Sequence, residues 1–505
     1  MITALDKSHR PLRDVLVVLT LATLPWLAGC NNQCEPETTR PAAAHSKQTA
    51  PSAVEEVDST AVAALEPQQV EAAPAPHAKN VILLIGDGMG FNHLRAGSLY
   101  RSGELDAPPY RDFDVHIAMS TYLYGGHYAA DQVWQEFDRV KQGATDSAAA
   151  ATALACGTKT YSGALGVNCQ RQPIINIVEQ AEKEGMSTGI VTSVPLSHAT
   201  PAGFVVHNVS RRNYEEIARE MILGSGVDVL MGGGHPWYDN DGVLLEVAQS
   251  YQYIGGEKLW HQLQEGEVGG DADGDGVDDH WTLIESRDDF QQLAEGPTPR
   301  RLLGVPRIAE TLQQGRQLEG EDGYGSHVTT AVVEPYSVPL ITTVPTLVEM
   351  SQAALNVLDN NDKDFFLMIE GGAIDWASHD NQSDRLIEEQ VDFDNTVAAV
   401  CAWVEHHSSW QDTLVIVTAD HECGYLTGPD SNPLWNPVTS NGPGKLPGFE
   451  WHHTSHTNSL VPLLARGLHA DQLAARASNS DPVRGPYADS TDLFPLMKFV
   501  LSQDN

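Results

Sequence analysis

Basic side chains are scarce in this chain. Lys and Arg number 30 against 68 Asp and Glu over 505 residues, a formal charge of −38. Such a field repels nucleic-acid backbones, so no nucleic-acid partner is expected, and it favours solubility. An anionic substrate needs a local positive site that overcomes it. Long apolar runs are missing too: residues 15–24 are too short to span a bilayer, and nothing later is long and apolar enough. Aromatic residues are absent from residues 31–79, where Ala, Pro, Glu, Gln, Thr and Ser dominate. That stretch cannot bury enough surface to fold. What remains holds enough apolar residues, 41% over the whole chain, for a sizeable core. The length allows one large domain or two to three smaller ones.

The start of the chain reads as a targeting segment. Lys7, Arg10 and Arg13 precede the apolar run, which leads to Leu27, Ala28, Gly29 and Cys30. A small-residue pair before a cysteine resembles the bacterial lipoprotein signal. The expectation is a signal peptide over residues 1–29, cleavage before Cys30 and a lipid there. Residues 30–79 would then be a tether with ends about 40 Å apart as a flexible coil. The chain would be lipid-anchored in the bacterial cell envelope, facing the periplasm or exterior. With Cys30 set aside, Cys34, Cys156, Cys169, Cys401 and Cys423 remain, an odd number that cannot all pair. Cys156 and Cys169 flank a short glycine-bearing loop, where a bridge is expected.

From residue 80 on, strand-like runs alternate with helical patterns. Helices are predicted over 174–183, 212–222, 346–358 and 386–405, and strands at 189–192, 227–231, 365–369 and 414–418. This alternation argues an α/β fold with a mainly parallel sheet. Ligands of such sheets gather beyond the carboxyl ends of strands. Residues 240–330 and 424–455 break the pattern and read as surface excursions from a catalytic domain spanning 80–505.

Acidic residues and histidines stand at those strand ends. The run 81–85 leads into Gly86, Asp87 and Gly88, whose glycines let the chain turn sharply. A dinucleotide fingerprint would need glycine at Phe91. The strand at 365–369 leads to Glu370, then to Asp375 and His379, which share a helical face. That pair suits zinc with a further ligand from elsewhere. The strand at 414–418 leads to Asp420 and His421. His456 could complete a set, with His452 and His453 as competitors. Thr145, Asp146 and Ser147 precede an alanine run, a strong helix former that Asp146 can cap. Amides at that start favour an anion, and a nearby metal or base would activate the Ser147 hydroxyl.

Together these motifs resemble the alkaline phosphatase family: residues 86–90, 145–150, 198–202, Glu370 with Asp375 and His379, 418–421 and 455–457, in order from about residue 79 to 500. The resemblance implies a three-layer α/β/α sandwich and a hydrolase of phosphate monoesters with two zinc ions and one magnesium ion. Ser147 looks like the nucleophile that forms a phosphoserine. Asp375, His379 and His456 look like the first zinc set, and Asp87, Asp420 and His421 the second. Asp87, Thr200 and Glu370 look like the magnesium set. Arg211 resembles the arginine that grips phosphoryl oxygens, with Arg212 its neighbour. His198 and Trp376 stand where one bacterial pattern has aspartate and lysine, a combination other members carry. It leaves His198 to reach the third metal through water. The family is commonly dimeric, so a homodimer is the expectation. Rival readings are a phosphodiesterase or sulfatase of the same superfamily, and a calcium-binding surface protein with an inactive core.

A separate stretch places acids at Asp271, Asp273, Asp275 and Asp279, with Gly276 at the sixth position, as in a calcium loop. Thr282 stands where that loop has a bidentate glutamate, so the match is partial.

Overall fold

A computed structural model of the chain describes residues 80–105, 107–272, 276–317, 333–360 and 363–502. The signal, the tether and Cys30 lie outside the described residues, as do Asp273 and Asp275.

Eleven strands form one sheet. In chain order they are β1 (Asn80–Gly86), β2 (Val115–Ser120), β3 (Ser187–Pro195), β4 (Val229–Gly233), β5 (Trp281–Ile284), β6 (Arg301–Gly304), β7 (Phe365–Gly371), β8 (Thr413–Thr418), β9 (Val461–Gly467), β10 (Asn479–Asp481) and β11 (Gly485–Asp489). Their spatial order is β10-β11-β2-β9-β8-β1-β7-β3-β4-β6-β5. The run from β8 to β5 is parallel throughout, whereas β9 is antiparallel to both its neighbours.

The seven residues of β1 are all buried. Successive strand residues point to opposite faces, so both faces of the sheet are covered. That is why this strand reads as an unbroken apolar run. The helices used below are α1 (Phe91–Ser102), α2 (Ser147–Cys156), α3 (Ala199–Gly203), α4 (Leu347–Asp359), α5 (Ala373–His379), α6 (Ser383–His407) and α7 (Leu493–Leu501). Both α6 and α7 pack against β1. Among the described residues no helix is long and apolar enough to cross a membrane.

The predicted elements fall close to the observed ones, with two differences. The excursion at 240–330 contributes β5 and β6, which extend the parallel sheet at its edge. The helix expected over 212–222 is α-helical only at Tyr214–Arg219 and widens to a π turn at Glu220–Gly224. The bridge expected between Cys156 and Cys169 is corrected: Cys156 is a free thiol, and Cys169 is disulfide-bonded elsewhere. Cys156 Sγ instead points to the Ile174 carbonyl, 3.7 Å away.

Candidate metal centre

Four adjacent parallel strands, β8, β1, β7 and β3, end at one side of the sheet. Their register sets Ile85 beside Glu370 and Thr418, and Glu370 beside Thr192. Residues just beyond these ends are therefore neighbours in space, although they come from distant parts of the chain.

Beyond β1, Gly88 adopts φ +74°, and a Cβ there would meet Asp375 Cα at 2.9 Å. Only glycine lets the loop pass this close to α5. The Gly88 amide donates to Asp420 Oδ1 at 3.1 Å, and the His421 amide to the same oxygen at 2.8 Å. Asp420 Oδ2 is left without a hydrogen-bond partner.

Asp375, His379 and His456 form the first group. The two histidine Nε2 atoms lie 3.0 Å apart, and each is 3.4 Å from an Asp375 oxygen. His379 Nδ1 faces the Thr454 carbonyl at 2.8 Å, and His456 Nδ1 the Thr145 carbonyl at 2.9 Å. Those carbonyls accept a hydrogen bond from Nδ1–H, so both Nε2 atoms turn lone pairs toward each other and toward a carboxylate. Such a set calls for a cation between its members. Cys423 Sγ is close enough to join the group.

The second group surrounds Ser147, the first residue of α2. Its Oγ is 3.2 Å from His421 Nε2. The same nitrogen is 3.2 Å from Asp420 Oδ2 and 3.6 Å from Asp87 Oδ1. Asp87, Asp420 and His421 are fully buried, and Asp87 Oδ1 has no hydrogen-bond partner. A third group has oxygen atoms only. Thr200 Oγ1 donates to Asp87 Oδ2 at 3.3 Å, and Thr192 Oγ1 donates to Glu370 Oε2. Glu370 Oε1 is unpartnered and buried. Burial and then the Asp87 charge push the Glu370 carboxyl well above its usual range; burial, Asp87 and Asp375 do the same to Asp420. Burial and then Asp375 raise Asp87 to about 7. Asp375 is held well below its usual range: burial opposes this, but the neighbouring His379 and His456 outweigh it. Orphaned buried oxygens in contact with one another fit divalent cations, which replace the protons these carboxyls would otherwise retain.

Arg211 lies across a cleft of about 300 Å³ lined by Ser147, His379, Asp380, Trp376 and others. Its Nη1 donates to Asp146 Oδ2 at 3.2 Å, and its amide to the Gly163 carbonyl at 2.8 Å. Asp146 also caps α2, accepting from the Ala149 amide, and takes the Gly163 amide at 3.0 Å. His198 Nε2 sits 3.4 Å from Arg211 Nη2 rather than inside either imidazole group. The competitors separate: Arg212 is exposed, and His452 Nε2 binds Thr427 Oγ1 at 2.7 Å. Thr192 and the carbonyls of Thr145 and Thr454 escaped the sequence reading; a threonine inside a strand, or a main-chain oxygen, carries no pattern.

In the acidic loop, Asp279 gives Oδ1 to Arg300 at 3.1 Å and Oδ2 to the Ala272 amide. Asp271 Oδ2 accepts the Gly276 amide at 2.9 Å. Asp273 and Asp275, the other two acids of the expected calcium set, lie outside the described residues.

Comparison with known proteins agrees with this geometry. A family model described as alkaline phosphatase matches residues 78–447. Alkaline phosphatase 4 of Bacillus subtilis is 30% identical over 422 residues, 80% of this chain and 76% of that protein. The Escherichia coli alkaline phosphatase is 30% identical over 450 residues, 84% of this chain and 86% of that protein. Among solved structures, the alkaline phosphatase from the Antarctic bacterium TAB5 superposes with a TM-score of 0.57 at 24% identity, covering 85% of this chain and 100% of its own, a likeness of fold. The extent of these matches and the order of the motifs give one conclusion: the chain belongs to the alkaline phosphatase family.

Proposed function

We propose that this chain hydrolyses phosphate monoesters through a phosphoserine on Ser147, using two zinc ions and one magnesium ion. Family membership makes it a metal-dependent hydrolase of phosphate monoesters; the intermediate, the metal identities and the residue roles extend that. The carrying observation is Ser147 Oγ at a helix start, 3.2 Å from His421 Nε2, amid buried ligand atoms without partners.

The nitrogen-bearing sets, Asp375 with His379 and His456, and Asp87 with Asp420 and His421, suit zinc. The oxygen set of Asp87, Thr200 and Glu370 would hold magnesium, with His198 outside that inner set. Bound divalent cations supply Lewis acidity that lowers the hydroxyl pKa and offsets charge on the leaving oxygen. Ser147 Oγ attacks phosphorus in line with the ester oxygen. The bond to the alcohol breaks, and the serine proton ends on the departing alcohol. Arg211 grips two phosphoryl oxygens through its fork, and the first amides of α2 face the anion. Water then attacks phosphorus, releases inorganic phosphate and restores the hydroxyl.

Ser147→Ala is expected to lower monoester turnover by orders of magnitude while metal analysis shows the ions retained. A variant of near-normal rate, or a wild type faster on diesters, defeats the proposal. The same reading anchors the chain by a lipid on Cys30 in the bacterial envelope, where it scavenges phosphate; the small residues before Cys30 support this. A fatty-acid label present on wild type and absent from Cys30→Ala is expected, and an unlabelled wild type sinks it. A homodimer is the proposed assembly, read by light scattering, where a monomeric mass excludes it.

A further inference from the structure

A second cleft opens behind the metal loop, between the start of α1 and the turn preceding β11. Gly90, Phe91 and Asn92 line one side, and Trp134, Trp435 and Arg484 line others. Arg484 is the unusual member. Its guanidinium carbon sits 4.3 Å from the Phe91 ring centroid and 5.8 Å from that of Trp134. Stacking of this kind covers the planar faces of the group and leaves its edge donors free. Among the described residues those donors meet no carboxylate or carbonyl. Asp481, the acid close by, accepts instead from the Tyr128 hydroxyl, the Trp134 ring and the amides of Val483 and Arg484. Arg95, on α1, also makes no ion pair or hydrogen bond among the described residues. Burial and then the Arg95 charge pull the Arg484 guanidinium down to about 10.

Neither arginine side chain makes an ion pair or a hydrogen bond among the described residues, although the Asp481 charge attracts Arg484 through space, in a chain with 68 acids and 30 bases. Both are half-buried, so each has lost part of its hydration and gains from a bound anion. The start of α1 adds to the positive field. Its N-cap is Gly90, which offers no side chain, and no acid stands in its first turn. A Cβ at Gly90 would meet Glu422 Cγ at 2.4 Å, so no capping side chain fits. The polar tips of the wall are already engaged: Trp435 Nε1 donates to the Tyr425 hydroxyl, and the Glu422 oxygens accept from Thr457 Oγ1 and the Leu426 amide. The Arg484 edge is left as a set of donors without a protein partner among the described residues. The space of about 60 Å³ matches roughly four waters, the size of a small oxyanion.

We propose that this cleft is a second oxyanion site, separate from the metal centre, which takes inorganic phosphate or a short carboxylate on the Arg484 edge. It needs no metal and does not depend on the catalytic reading.

Crystals of the metal-loaded full chain soaked in selenate, a phosphate-shaped anomalous scatterer, test the location. A peak within hydrogen-bonding distance of Arg484 is expected, lost in Arg484→Met while any peak at Ser147 persists. In solution, calorimetric titration with phosphate is expected to show a second class of site, weakened at least about tenfold in Arg484→Met. Acetate that displaces selenate at Arg484, but phosphate that does not, assigns the site to carboxylates; the reverse assigns it to phosphate. If Arg484→Met fails to fold, Arg484→Lys, which keeps the charge and loses the fork, is expected to weaken binding. Selenate confined to the metal centre, or retained unchanged when Arg484 is replaced, overturns the proposal.

Discussion

Arg211 is held at two points before it meets a substrate. Its amide is fixed to the Gly163 carbonyl and its Nη1 to Asp146 Oδ2, at 3.2 Å. That pre-organisation lowers the ordering cost of gripping an anion. Arg211→Ala is expected to reduce kcat/KM for a monoester by about 10²-fold, in line with loss of a charged donor at a developing anion. Steady-state kinetics check this, and a loss below a factor of a few rejects the role. The sequence alone narrowed the choice to Arg211 and Arg212 but could not decide it, because adjacent residues differ only in which way they face. Asp375 and His379 were legible for the opposite reason: helical spacing sets a common face whatever the rest of the fold does. Thr192, whose hydroxyl orients Glu370, was not legible, since nothing local distinguishes it from any strand threonine.

The loop between β1 and α1 depends on backbone geometry more than on side chains. At Gly88 a left-handed φ coincides with α5 so close that an added Cβ would meet Asp375 Cα at 2.9 Å. Gly88→Ala is expected to destabilise the fold by roughly 1–3 kcal/mol and to weaken metal retention through displacement of Asp375. Thermal unfolding and metal analysis report the two effects; a variant unchanged in both excludes the close approach. Most elements announced themselves by period and composition, among them α4, which opens with Thr346 accepting from the Glu349 amide. The strands β5 and β6 did not. Each is four residues long inside a charged, glycine-rich stretch, and both owe their pairing to a neighbour already in place, β6 to β4 and the edge strand β5 to β6.

Across the molecule, acidity reaches the interior as well as the surface. Glu389 on α6 is buried, and burial and then the Asp392 charge push its carboxyl up to about 8, with Arg316 opposing. An unfolded glutamate ionises near pH 4.3. Between those values the unfolded chain releases the proton while the native chain keeps it, so this group's contribution to stability is lost as pH rises through about 8. Glu389→Gln is expected to raise Tm by roughly 2–4 °C at pH 9, with a smaller gain at pH 5. An equal change at both values removes the linkage. The α/β class was legible at this scale because alternation is a property of the whole chain. The strand order was not: β1 pairs with β7 and β8, which follow it by nearly the length of the domain, and no local signal encodes such partners.

Where the ligands sit along the chain has a mechanical consequence. His421 and His456 stand at the two ends of the excursion at 424–455, and each points into the cluster. Divalent ions bound there would act as a clasp on that excursion, shutting both its ends with one fastening. Chelation is therefore expected to make it the first place where a protease cuts, well before the sheet yields, and zinc is expected to restore resistance. Cleavage elsewhere first, with this segment intact, means the clasp is not what holds it.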